Sequence, residues 1–141
     1  MTGAAAVTVA TTFTWLGMVL AISFLEAPLK FRARGVDLRI GLGIGRIVFR
    51  ALNTAEAILA ITVLASLAAG SPRARFLVPL AAAIAVLAAQ LIFVRPRLTR
   101  RADAVLAGQD APRSRAHHAY VALEGVKVIA LLVGGILMLA A

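Results

Sequence analysis

Glu56, Glu124 and Lys127 stand inside or at the margin of long apolar runs, with the amides of Asn53 and Gln90 for company. Two carboxylates, an amine and two amides can hold a cation, relay a proton or lock helices together, provided they face one another. Helical spacing allows it. At 100° per residue, Arg46, Arg50, Asn53 and Glu56 fall within an arc of about 120° of one helix, and His117, Tyr120, Glu124 and Lys127 within about 80° of another. Glu26 closes the first apolar run, with Lys30 one turn further on. Pro28 disfavours helical geometry at Ala27 and so marks a helix end or a kink there. The ten candidates for the lining of one polar pocket are therefore Glu26, Arg46, Arg50, Asn53, Glu56, Gln90, His117, Tyr120, Glu124 and Lys127, with Glu26 at its mouth.

A structural reading stands beside this one. Glu26 with Lys30, and Glu124 with Lys127, have the i,i+4 and i,i+3 spacings of plain intrahelical pairs whose ends snorkel to water. Glu56, Asn53, Glu124 and Lys127 would equally serve as a polar latch between helices. His117 and His118 are adjacent, so on a helix they point about 100° apart and cannot grip one metal from the same face; no metal site is expected. The chain has no cysteine, which excludes disulfides, thiolate nucleophiles and Cys-ligated zinc or iron–sulfur centres. No catalytic residue or cofactor can be named from these groups.

The elements that must position them follow from composition. The chain of 141 residues is 62% hydrophobic and 15% charged, where a soluble domain carries about 25% charged residues; its mean hydropathy is +0.95. An integral membrane protein is the class this implies. Charge-free stretches cover 1–25, 57–72, 76–94 and 128–141, and a bilayer-crossing helix needs about 20 mostly apolar residues. The expectation is an all-α bundle of four transmembrane helices, one domain over 1–141, with spans near 5–27, 48–69, 75–94 and 121–140. The second and fourth reach full length only by taking in Asn53 and Glu56, and Glu124 and Lys127. A charge at mid-helix costs about 2.5–3.5 kcal/mol on the insertion scale, so such residues turn toward the bundle interior.

Orientation is read from the arginines, which cytoplasmic loops retain. The first loop has Lys30, Arg32, Arg34, Arg39, Arg46 and Arg50 against Asp37; the third has Arg95, Arg97, Arg100, Arg101, Arg113 and Arg115 against Asp103 and Asp110; the second has only Arg73 and Arg75. This puts both termini on the outer side of the plasma membrane and the pocket in the cytoplasmic half, with Thr8, Thr12 and Trp15 left in the outer half. The apolar run at the N-terminus has no preceding Lys or Arg, which argues against a cleaved signal peptide. The net charge of +9 is then a topology signal. The basic residues flank spans and are not interleaved with aromatics, so nucleic acid is not an expected partner; the lipid bilayer is, with anionic headgroups held by loop arginines.

Within the loops, "RARGVDLRIGLGIGRIVFR" (32–50) suits an interfacial segment or an extended start of the second helix. Its "GLGIG" lacks the phosphate-loop pattern, and Gly41 and Gly45 serve either flexibility or close helix packing. The third loop is expected to hold a short surface helix, 97–107, ending at Gly108.

"WLGMVLAISFLEAPLKF", "RIVFRALN", "VRPRL" and "HHAYVALEGVKV", with Trp15, Gly17, Pro28, Phe31, Phe49, Pro96 and His117 or His118 as their marks, resemble the small four-helix membrane proteins related to human transmembrane protein 205. The resemblance implies a four-span bundle and an association with tolerance to toxic metal compounds. "RALNTAE" (50–56) is also similar to the Arg, Asn and Glu pattern opening helix two in the membrane-associated eicosanoid and glutathione family, although Arg50 precedes Asn53 by three positions where that family has four. From the residues, the leading expectation is a non-enzymatic, homo-oligomeric protein whose cytoplasm-facing pocket binds or passes a small ion or polar solute. The alternatives are a membrane enzyme acting on a lipophilic substrate and an accessory subunit of a larger complex.

Overall fold

A computed structural model describes residues 1–112 and 115–141; Arg113, counted above in the third loop, lies outside the described residues. Four long helices run antiparallel in sequence: α1, Gly3–Lys30; α2, Leu38–Ala69; α3, Ala74–Leu106; and α4, Arg115–Leu139. Each is long and apolar enough to cross a membrane.

Their boundaries have local causes. The Thr2 hydroxyl caps α1 by accepting from the Ala5 N–H at 3.1 Å, and the Asp37 carboxylate caps α2 by accepting from the Ile40 N–H at 2.9 Å. Each such cap is worth about 1 kcal/mol. Asp37 starts α2 some ten residues earlier than the apolar count from 48 suggested, and Gly41 and Gly45 join its first turns. A Cβ on Gly41 would come within 2.1 Å of the Phe31 ring, and one on Gly45 within 2.9 Å of Lys30 Nζ. The two glycines are therefore a close-packing face that receives the end of α1. In the third loop, the helix expected over 97–107 is the continuation of the third span and shares one unbroken helix with it. It stops before Gly108, whose φ of +86° suits a residue with no Cβ.

Two widened, π-helical turns interrupt the regular winding, at Leu20–Glu26 in α1 and Gln90–Val94 in α3. Each is followed, after one intervening residue, by a proline, Pro28 or Pro96. A helical proline offers no N–H and its ring clashes with the carbonyl four residues back. Just ahead of each proline the ladder steps to i→i+5, with Ala27 N–H on Ile22 O and Arg95 N–H on Gln90 O, which accommodates the ring without ending the helix. Pro28 thus marks a widened turn, and α1 continues to Lys30.

In cross-section the helices pack in the order α2, α1, α4, α3, while α2 and α3 meet chiefly through the arginine-rich last third of α3. Trp15, Leu16, Val19, Ala60, Ala83, Leu87, Ala130 and Leu131 form the central apolar core. A second core of Val63, Phe76, Leu80 and Met138 fills the end where the termini lie. The outer surface is apolar: Ile58, Ile61, Val78, Ile92 and Ile129 are all at least 60% exposed. Large aliphatics outside and ionisable groups inside reverse the arrangement of a water-soluble domain and match what a hydrocarbon solvent favours.

Candidate functional site

At mid-height of the bundle, α1, α2, α3 and α4 each send polar side chains to one buried cluster. Lys127 Nζ on α4 lies 2.5 Å from Glu56 Oε1 on α2, donates to Gln90 Oε1 on α3 at 2.7 Å, and pairs with Glu124 Oε1 one turn away on its own helix. An ammonium has three N–H donors, and all three find acceptors. The Gln90 amide turns its oxygen to the ammonium and its NH2 to Glu124 Oε1, at 3.0 Å, with the Tyr120 carbonyl at 3.4 Å. From α1, the Trp15 indole N–H donates to Glu56 Oε1 at 2.9 Å and the Ser23 hydroxyl donates to Glu124 Oε2. Glu56, Lys127 and Trp15 have no exposed surface, and Glu124 and Gln90 have 1% each.

The widened turns belong to this arrangement. Ser23 sits within the first and Gln90 opens the second, so each brings one hydrogen-bonding side chain to Glu124. By contrast Glu56, Glu124 and Lys127 sit on regular winding of α2 and α4. Lys127 lies halfway along α4. Glu56 lies thirteen residues before the end of α2 at Ala69, or about 20 Å at 1.5 Å per residue.

The charges do not balance. Two carboxylates face one ammonium, leaving one excess negative charge when all three are ionised. Both oxygens of Glu124 are engaged, whereas Glu56 Oε2 is buried with no hydrogen-bond partner. Thr12 Oγ1, one turn from Trp15 on the same side of α1, is likewise buried and unpartnered. Further toward the termini, the hydroxyls of Thr8 and Ser66 bond each other at 2.6 Å across α1 and α2.

Of the ten residues expected to share one pocket, Glu56, Gln90, Glu124 and Lys127 meet in this cluster. Tyr120 borders it through its carbonyl; its ring packs edge-on to Phe49 with centroids 5.8 Å apart, and its buried hydroxyl has no hydrogen-bond partner. Arg46, Arg50 and Asn53 belong elsewhere: with Arg95 they line a groove of about 420 Å³ between α2 and α3, and Arg46 pairs with Asp103 at the exposed surface. One helix face therefore serves two separate places. Glu26 lies 3.6 Å from Lys30 as an i,i+4 pair, and Lys30 Nζ also sits 5.6 Å from the ring centroids of Phe31 and Phe49. His117 packs edge-on to His118 with centroids 5.6 Å apart.

Two cluster members were not among the ten. The sequence places Trp15 in the outer half, yet the antiparallel stagger of α1 and α2 sets it level with Glu56. Ser23 falls about 20° from Thr12 at 100° per residue, so the polar face of α1 already contained it. No family model matches the chain, and neither curated proteins nor solved structures give a match.

Proposed function

We propose that the chain is a multi-pass protein of the plasma membrane, crossing four times with the arginine-rich loops in the cytoplasm and both termini outside. Its Glu56–Lys127–Glu124 cluster binds a single small cation, in the simplest case a proton, and passes it on. The observation that carries this reading is the charge imbalance: two fully buried carboxylates against one ammonium, with Glu56 Oε2 lacking any partner. A buried acceptor without a donor costs about 1–3 kcal/mol, more when charged, and one bound cation answers both the charge and the lone pair. The unpartnered Thr12 hydroxyl and the Thr8–Ser66 pair continue the polar groups from Glu56 toward the termini. Apolar side chains fill the rest of the space around the cluster, so these buried hydroxyls between α1 and α2 are the polar route that the interior offers. A homo-oligomer is part of the proposal.

One observation favours a second reading, an accessory protein whose cluster only locks the helices. The Lys127 ammonium is saturated, with one acceptor from α2, one from α3 and one from α4 itself.

Infrared difference spectroscopy across a pH step separates the two. In the cation-binding reading, a buried carboxylic C=O band gains and loses intensity between about pH 5 and about pH 9, a range in which an exposed glutamate stays ionised. The band disappears in Glu56→Gln, and that variant abolishes ion flux into proteoliposomes. A wild type with neither the band nor flux leaves the latch. Sidedness is tested separately: cysteines placed at Ser71 and Gly108 of this cysteine-free chain are expected to label from outside and inside respectively.

A further inference from the structure

The groove between α2 and α3 is unused by the cluster and has a different chemistry. Arg46, Arg50 and Arg95 line it, together with the amide of Asn53 and the hydroxyl of Thr99; on the side away from the arginines its wall turns apolar at Ala57 and Leu91. The Arg95 guanidinium is held in place, 5.2 Å from the Phe49 ring centroid and 5.9 Å from that of Tyr120. Of the three arginines only Arg46 has a carboxylate partner among the described residues, Asp103. A second hollow, of about 270 Å³, shares Arg46 and Arg50 and is walled by Ile47 and Ala51. Ile47, which walls the second hollow, and Ile58 and Ile92, next in sequence to the lining residues Ala57 and Leu91, are 73%, 60% and 63% exposed.

We infer that this groove is a binding site for the phosphate-bearing headgroup of an anionic phospholipid. Guanidinium groups in a fork match phosphate oxygens in charge and in hydrogen-bond direction. Neither Arg50 nor Arg95 has an ion-pair partner among the described residues, and although Arg95 also feels the more distant carboxylates of Glu124 and Glu56, the groove keeps a positive surplus that suits an anion. The apolar wall beside the arginines, and the exposed isoleucines around it, provide for acyl chains where a soluble phosphate would have no use for them. The groove also lies where the apolar length of α2 gives way to its arginine-rich start, the level at which a headgroup sits. The inference depends on the membrane placement proposed above, not on cation binding by the cluster.

The test is retention of lipid by the purified full-length protein, read by native mass spectrometry after exchange into mixed micelles of detergent with equal phosphatidylglycerol and phosphatidylcholine. The wild type is expected to retain phosphatidylglycerol selectively. Each groove arginine contributes about fivefold, as expected for a basic residue near an anionic lipid surface. Arg50→Gln therefore loses about fivefold selectivity, and Arg50→Gln with Arg95→Gln about 25-fold. Arg50 is exposed, so the single variant keeps the bundle intact even where the double, which removes a ring contact, does not. Arg100→Gln, outside the groove, leaves retention unchanged. Equal losses from Arg100→Gln and Arg50→Gln would reduce the effect to diffuse charge and overturn the site. Displacement of phosphatidylglycerol by inorganic phosphate at equal concentration would also overturn it, in favour of a soluble phosphate ligand. A protein that stays in solution without detergent would remove the membrane placement itself, an outcome distinct from a detergent-requiring protein with no lipid preference.

Discussion

Two ion pairs in this bundle each join a basic side chain to a carboxylate across two helices, and they differ in their exposure. Arg46 and Asp103 bridge α2 and α3 with side chains 39% and 50% exposed; Lys127 and Glu56 bridge α4 and α2 with none. At the exposed pair water and salt already satisfy both charges, so the bridge adds little. At the buried pair there is no such reserve, and each charge depends on the partners the fold supplies. The number of partners follows the exposure. Lys127 has three acceptors, whereas Arg46 has one carboxylate.

The largest effect that would break this contrast is at Lys127. Lys127→Met leaves the carboxylates of Glu56 and Glu124 facing each other across the place of the ammonium, and loss of one member of a buried pair typically costs about 3–5 kcal/mol. Thermal unfolding in detergent is expected to show it, and Glu56→Gln combined with Glu124→Gln in the Lys127→Met background should recover most of the loss by removing the stranded charges. Additive losses in the combined variant would mean that the three groups do not act as one network. Glu124→Gln alone is expected to cost far less than Lys127→Met, since it leaves a one-to-one pair.

An intermediate effect sharpens the comparison. Trp15→Phe keeps the packing of an aromatic ring and deletes the N–H that Glu56 accepts, and hydrogen bonds to charged groups contribute about 1.5–3 kcal/mol. The expected loss sits between the two ion pairs, and it should shrink to the packing part alone in a Glu56→Leu background, which has no acceptor, if the indole acts through that carboxyl. The smallest effect belongs to the surface: Asp103→Asn is expected to cost under about 1 kcal/mol, and less still in high salt. A loss at Asp103 comparable with that at Lys127 would erase the distinction between the two regions.

The same contrast explains what could be read from the chain alone. Charges inside apolar runs are conspicuous because hydrocarbon leaves them few alternatives, so Glu56, Gln90, Glu124 and Lys127 stood out by type and position. The four helices followed from run length for the same reason. Ser23 falls on the polar face of α1, but its role and that of Trp15 depend on how far α1 slides along α2 and on a widened turn that no periodicity announces. An extended start of α2 and a packing role for Gly41 and Gly45 were open to the sequence only as alternatives, because what decides them is tertiary: Phe31 and Lys30 lie against the two glycines. Likewise, Arg50 and Glu56 share an arc on the helical wheel but lie almost two turns apart, far enough for one to line a surface groove while the other is fully buried.

The order of the cluster's members along the chain has a consequence for biogenesis. Trp15 and Glu56 emerge from the ribosome first and can meet as soon as α1 and α2 pair, but the ammonium that completes the site is carried by the last helix. Until α4 arrives, the Glu56 carboxyl has an indole N–H and no cation. A nascent chain paused after α3 therefore holds an incomplete interior, and packing of α4 is the step that completes it. Quality control that removes membrane proteins with uncompensated intramembrane charge would, for this chain, act as a check on whether synthesis had reached Lys127.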